Sequence, residues 1–181
     1  MTEQKEFDVF LSHNSSDKDS IRVIAEKLEN GGIVPWIDEG QFKGGDDWQR
    51  KLYQTLNKTE MAFIFLGISG LGPWQEKEIS YLYGLYMSSE NKSPKIVPVV
   101  LPGASPNNIP GYLKDIHFVT IDNLEDDSEI SKLLKIFRET KSKQSSQGAE
   151  IVIGEIKGEK SNIVGQIKGD HIQVGDRHET K

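Results

Sequence analysis

The chain has no cysteine, which excludes disulfide bridges, thiolate nucleophiles and cysteine-based zinc sites together. Its four histidines, His13, His117, His171 and His178, fall at no paired metal-ligand spacing, so no structural metal is expected. No run approaches the roughly 18 apolar residues that a membrane-spanning helix needs. The opening MTEQKEF also lacks the basic start and apolar stretch of a secretion signal. A cytoplasmic location with no membrane partner is the expectation. Clustered positive charge is missing too: Lys and Arg are dispersed and the formal net charge is -6. Binding to a phosphate backbone relies on grouped cations that release counterions, so nucleic acid is not an expected partner. A local pocket in an acidic protein can still hold a small anion.

What is present suffices for one domain and an appendage, since 181 residues is too few for two full cores. Apolar runs alternate with amphipathic stretches in the order that builds β-α-β units around a parallel sheet. Strands are expected over Phe7 to Leu11, Ile33 to Ile37, Met61 to Leu66, Ile96 to Leu101 and Phe118 to Ile121. Pro35 lacks an amide donor and so points to an edge position for the second strand. The first helix is expected to be capped by Ser16, with Asp17 and Asp19 in its first turn, Ile21, Ile24, Ala25 and Leu28 inward, and Gly31 and Gly32 ending it. Asp46 or Asp47 is expected to cap a helix carrying Trp48, Leu52 and Leu56. Pro73 suits the first position of another, whose apolar face continues through Ile79, Leu82, Tyr83 and Tyr86. Ile130, Leu133, Leu134 and Phe137 mark a closing helix.

The fold class that follows is α/β: a flavodoxin-like, five-stranded parallel sheet of order 2-1-3-4-5, with helices on both faces and a short β-prone C-terminal tail. In such a sheet, ligands bind beyond the strand C-terminal ends, between strands 1 and 3, where the winding reverses. Two segments flank that crevice, Ser12 to Asp17 and Gly72 to Glu78. Residues four apart on a helix share a face, so Trp74 and Glu78 can present an aromatic plane and a carboxylate to one pocket. The plain alternative is a core tryptophan and a solvated glutamate. A phospho-receiver shares this fold but needs an aspartate after strand 3, where this chain has Leu66, Gly67, Ile68 and Ser69.

Phe7-Asp8-Val9-Phe10-Leu11-Ser12-His13 resembles the opening box of Toll/interleukin-1 receptor (TIR) domains. Trp36-Ile37-Asp38, followed by Phe42, Gly45 and Trp48, is similar to their BB loop and the helix it feeds. Trp74-Gln75-Glu76-Lys77-Glu78-Ile79 resembles the Trp-x-x-x-Glu-hydrophobic motif of plant and bacterial NAD-cleaving TIR domains. The resemblance implies a catalytic Glu78 and substrate contacts from Ser12, His13, Asn14, Asp38, Phe42, Gly45 and Trp74. It also implies NAD+ as substrate rather than cofactor, no metal, and self-association through TIR domains that completes the site. Breaking the nicotinamide-ribose bond releases a neutral leaving group, so the main demand is a carboxylate beside an oxocarbenium-like sugar. Phe42 or Trp74 would stack on a ring of the dinucleotide, and water or the adenine of the same molecule would attack. A TIR adaptor that only scaffolds is the main alternative, and a virulence factor mimicking host adaptors is a third.

The TIR-like part is expected to span residues 1–141, followed by a polar linker over 142–149 and a β-prone tail over 150–181. In the tail, Gly154-Glu155-Ile156-Lys157-Gly158 recurs eleven residues later as Gly165-Gln166-Ile167-Lys168-Gly169. From residue 142 onward six acidic residues balance six basic ones, so charge does not keep copies apart. Short β-branched strands without proline suit cross-β stacking. Ile172-Gln173-Val174-Gly175 resembles the core tetrad of RHIM-type amyloid signalling motifs, which implies templating on an NLR-like sensor that carries a matching motif. The alternative is a tail with no partner.

Overall fold

The computed structural model describes residues 7–37, 48–90 and 92–147. The expectations for Asp38, Phe42, Gly45 and the 150–181 tail, and for a cap at Asp46 or Asp47, lie outside those residues. Two compact units divide the chain, 1–135 and 136–181.

In the first unit, five parallel strands form one sheet in the order β2-β1-β3-β4-β5. They are β1 (Val9–Ser12), β2 (Pro35–Ile37), β3 (Met61–Leu66), β4 (Lys95–Val100) and β5 (Val119–Thr120). The helices are α1 (Lys18–Asn30), α2 (Trp48–Lys58), α3 (Pro73–Ser88) and α4 (Asp127–Gln147). No described helix is long and apolar enough to cross a membrane.

β3 lies centrally and is buried along its whole length, as its unbroken MAFIFL run requires. Successive strand residues point to opposite faces. Phe10, Ala62, Ile64, Leu66, Ile96 and Val100 pack in one core with Leu52 and Leu56 of α2 and Ile79 and Leu82 of α3. The intervening Val9, Leu11, Met61, Phe63, Phe65, Val97 and Val99 are buried on the other face, which is left for the buried residues of α1, Ile21, Ile24, Ala25 and Leu28.

The two strand prolines cost the ladder nothing. Val34 O accepts from Asp8 and Val9, so residue 34 faces β1 and Pro35 turns its nitrogen to the open edge. Lys95 N donates to Glu60 O, just before β3, and Leu101 N to Leu66 O at its end, so Pro98, an odd number of residues from each, turns its nitrogen to the β5 side. There β5 pairs only with Val99 and Val100.

At the start of α1 the structure differs from expectation. The turn before α1 is capped by Asn14 rather than Ser16: a short 3-10 turn, Ser15–Asp17, comes first, and Asn14 Oδ1 accepts from Ser16 N–H at 3.2 Å. Asn and Ser compete for such caps on nearly equal terms, and the extra turn decides for Asn14. α1 stops where expected, with Ile33 N–H donating to Leu28 O at 3.0 Å and Gly32 at a φ of +83° that a side chain would strain. The polar stretch read as linker is helical as far as Gln147, because no glycine or proline interrupts it before Gly148. Of the second unit, residues 136–147 are described, all helical.

Candidate active site

The crevice between β1 and β3 is closed by polar groups that meet across it. Ser12 is the last residue of β1 and 1% exposed; its Oγ donates to Glu78 Oε2 at 2.7 Å, and Glu78 is itself 3% exposed. Sixty-six residues separate the pair in sequence. The sheet order brings them together: β1 and β3 are neighbours, and α3 starts just beyond the end of β3. Pro73 sets the first turn of α3 without needing an N–H partner. Gln75, Glu78, Ile79 and Leu82 then form the buried face of that helix at spacings of three and four.

Gln75 is the buried group that sequence reasoning missed. It is 1% exposed, and its Nε2 donates to Phe65 O at 2.7 Å and to Ser12 O at 3.3 Å. Its Oε1 accepts from Gly72 N–H at 3.4 Å. A buried amide left unpaired costs about 1–3 kcal/mol, and here both ends of the amide are engaged. Glutamine at the third position of a helix is a known capping signal, and this was the clue available in the sequence.

The loop after β1 is tied to the loop after β3 at two further points. Asn14 Nδ2 donates to Gly70 O at 3.0 Å. Asp17 packs its carboxylate against Gly67. Burial pushes the Asp17 carboxyl above its ordinary value, with His13 and the Gly67 N–H pulling it back, and Oδ2 is buried with no hydrogen-bond partner among the described residues. His13 Nδ1 lies 3.1 Å from Leu11 O. A carbonyl only accepts, so Nδ1 carries the proton.

Of the residues singled out from sequence, Ser12 and Glu78 are in direct contact, and His13 and Asn14 lie in the loop that follows Ser12. Trp74 is half-buried and packs on the core shared by α2 and α3, with Lys77 Nζ 4.8 Å from its ring centre. Glu76 is exposed, as its place on the other side of the helix implies.

A five-stranded parallel sheet of order 2-1-3-4-5 places the chain among the flavodoxin-like α/β folds. Within that class the chain belongs to the TIR-domain family, whose model matches residues 9–134. It is 33% identical over 97 residues to the 2' cyclic ADP-D-ribose synthase BtTIR of Bacteroides thetaiotaomicron, covering 52% of this chain and 33% of that protein. It is 31% identical over 98 residues to the 2' cyclic ADP-D-ribose synthase AbTIR of Acinetobacter baumannii, covering 53% of this chain and 35% of that protein. It is 28% identical over 88 residues to the NAD(+) hydrolase TcpC of Escherichia coli, covering 48% of this chain and 29% of that protein. The chain thus spans about a third of the length of these curated relatives. Among solved structures, the TIR domains of the activated Roq1 resistosome align with a TM-score of 0.55 at 17% identity, over 72% of this chain and 99% of that one. A TIR-STING receptor from C. gigas aligns with a TM-score of 0.58 at 16% identity, over 74% of this chain and 41% of that one. At such identities these two matches establish the shared fold.

Proposed function

We propose that this TIR domain cleaves the nicotinamide-ribose bond of NAD+, with Glu78 as the catalytic carboxylate. The observation that carries the proposal is the buried Ser12–Glu78 hydrogen bond at the reversal point of the sheet. The names of the bacterial relatives, cyclic ADP-ribose synthases and NAD+ hydrolases, support the same substrate. As the bond breaks, nicotinamide leaves with the bonding pair as a neutral base and the ribose carbon becomes cationic. The Glu78 carboxylate stabilises that charge, and Ser12 orients the carboxylate through its hydroxyl. Water, or a group of the same dinucleotide, then attacks the ribose carbon and loses its proton, giving ADP-ribose or a cyclic isomer. His13, Asn14 and Trp74 would line the approach to Glu78, and Asp38, Phe42 and Gly45 would complete the substrate contacts.

A carboxylate only 3% exposed meets no sugar until something uncovers it. We therefore place the active state in an assembly of TIR domains, within a bacterial immune or cell-death response. The repeat-bearing tail would concentrate copies on an NLR-like sensor by multivalency. The same burial favours one competing reading, a scaffold in which Glu78 merely pins α3 to β1.

Incubating the full chain at high concentration with NAD+ and following nicotinamide release separates the two. Glu78→Gln abolishes release while the far-ultraviolet circular dichroism stays that of the wild type. Undiminished turnover by the folded variant refutes the catalytic assignment, and a wild type silent even when assembled leaves the scaffold.

A further inference from the structure

We infer that Gln75 is the positioning residue of this site, holding Ser12 and Glu78 in register through the carbonyls of β1 and β3. The inference rests on the NAD-cleaving reading above for its kinetic consequence and on the geometry alone for its structural one. Ser12 is gripped at both ends by one face of α3: Gln75 holds its backbone carbonyl and Glu78 its hydroxyl. The same Gln75 nitrogen holds Phe65 O on the neighbouring strand at 2.7 Å. Its two hydrogens therefore set how far apart the strand ends lie and how deeply the start of α3 sits between them. Glu78 follows three residues later on the same buried face, so the depth and rotation that Gln75 imposes decide where the carboxylate meets Ser12.

A group that only filled space would be replaceable by any side chain of its volume. Methionine has nearly the length of glutamine and neither of its donors, so Gln75→Met removes the grip and leaves the packing. Gln75→Asn keeps the amide but is one methylene too short to span both carbonyls. With NAD+ as substrate, both variants lose kcat by roughly 10-fold or more while KM stays within about twofold, the pattern of a misplaced reacting group rather than weakened binding. On a Ser12→Ala background most of that loss disappears, because the hydroxyl–carboxylate contact whose register Gln75 sets is already gone, while the Ser12 carbonyl that Gln75 holds remains. A crystal structure of Gln75→Met is expected to show Ser12 Oγ and Glu78 Oε2 beyond hydrogen-bonding distance.

Folded variants that keep full kcat, or penalties that simply add in the double variant, overturn the positioning role. If the wild type itself releases no nicotinamide, the NAD-cleaving reading fails. The positioning claim then stands or falls on the crystal structure, where an unchanged Ser12–Glu78 contact overturns it. Should Gln75→Met not fold, the same measurements are made on Gln75→Asn.

Discussion

Gly67→Ala tests whether the two loops around the crevice are built as one unit. The backbone of Gly67 is not left-handed, so alanine brings no conformational strain. Its Cβ would, however, overlap Cγ and both carboxylate oxygens of Asp17. The Asp17 carboxylate has to move for alanine to fit, and its Oδ2 is already buried. To restore van der Waals separation one loop must retreat from the other by roughly 1 Å, and overpacking of that kind costs about 1–3 kcal/mol. For a chain of this size that corresponds to a Tm lower by roughly 2–12 °C. A displacement near 1 Å at a reacting group can cost about 100-fold in rate, so nicotinamide release should fall steeply although no group named in the chemistry has been altered. Differential scanning calorimetry reads the first effect and the NAD+ assay the second. Shortening the obstructing side chain in Gly67→Ala/Asp17→Ala returns most of the lost Tm. A single Gly67→Ala variant within about 0.5 kcal/mol of the wild type, with full turnover, refutes the idea that these loops are coupled through Asp17.

Two further outcomes follow from burial. Because burial raises the Asp17 carboxyl above its ordinary value of 3.8, the folded protein keeps that proton to higher pH than the unfolded chain does. Stability therefore falls as pH rises from 3.8 through the folded value, and the deficit persists above it. Asp17→Asn has no charge to bury, so its Tm exceeds that of the wild type at pH 7 and the difference narrows as pH falls through the raised folded value to 3.8; a difference that is flat with pH contradicts the assignment. Leu56, fully buried between α2 and the sheet, is expected to cost about 2–5 kcal/mol when cut to alanine, read as a lower urea midpoint at unchanged slope.

The fold was legible wherever a pattern was local. Met61 to Leu66 forms β3 and Pro73 opens α3 at the residues expected, since an unbroken apolar run and a helix-starting proline each carry their own signal. Pro35 announced an edge strand, and β2 lies at the edge. The outer strands were read too long: Phe118 to Ile121 shrinks to Val119–Thr120 and Ile33 to Ile37 shrinks to Pro35–Ile37. Strand length there is set by how far the neighbouring strand offers partners, which no single segment encodes. At the site, Glu78 and Ser12 came from a motif and from topology. Gln75 and the contact of Asp17 with Gly67 did not, because a polar residue on a helix reads as solvated until the strand carbonyls it bonds are known. Asp17 read as a first-turn acid, whereas the structure packs it against the loop after β3.

The two strand prolines also affect what can be added to the edges of this sheet. An intruding strand that tried to lengthen the sheet beside β2 would find no donor at Pro35, and one approaching β4 ahead of β5 would find none at Pro98. The far side of β5 offers a ladder only two residues long. Among the described residues, these edges of the sheet are therefore short of backbone donors for an added strand.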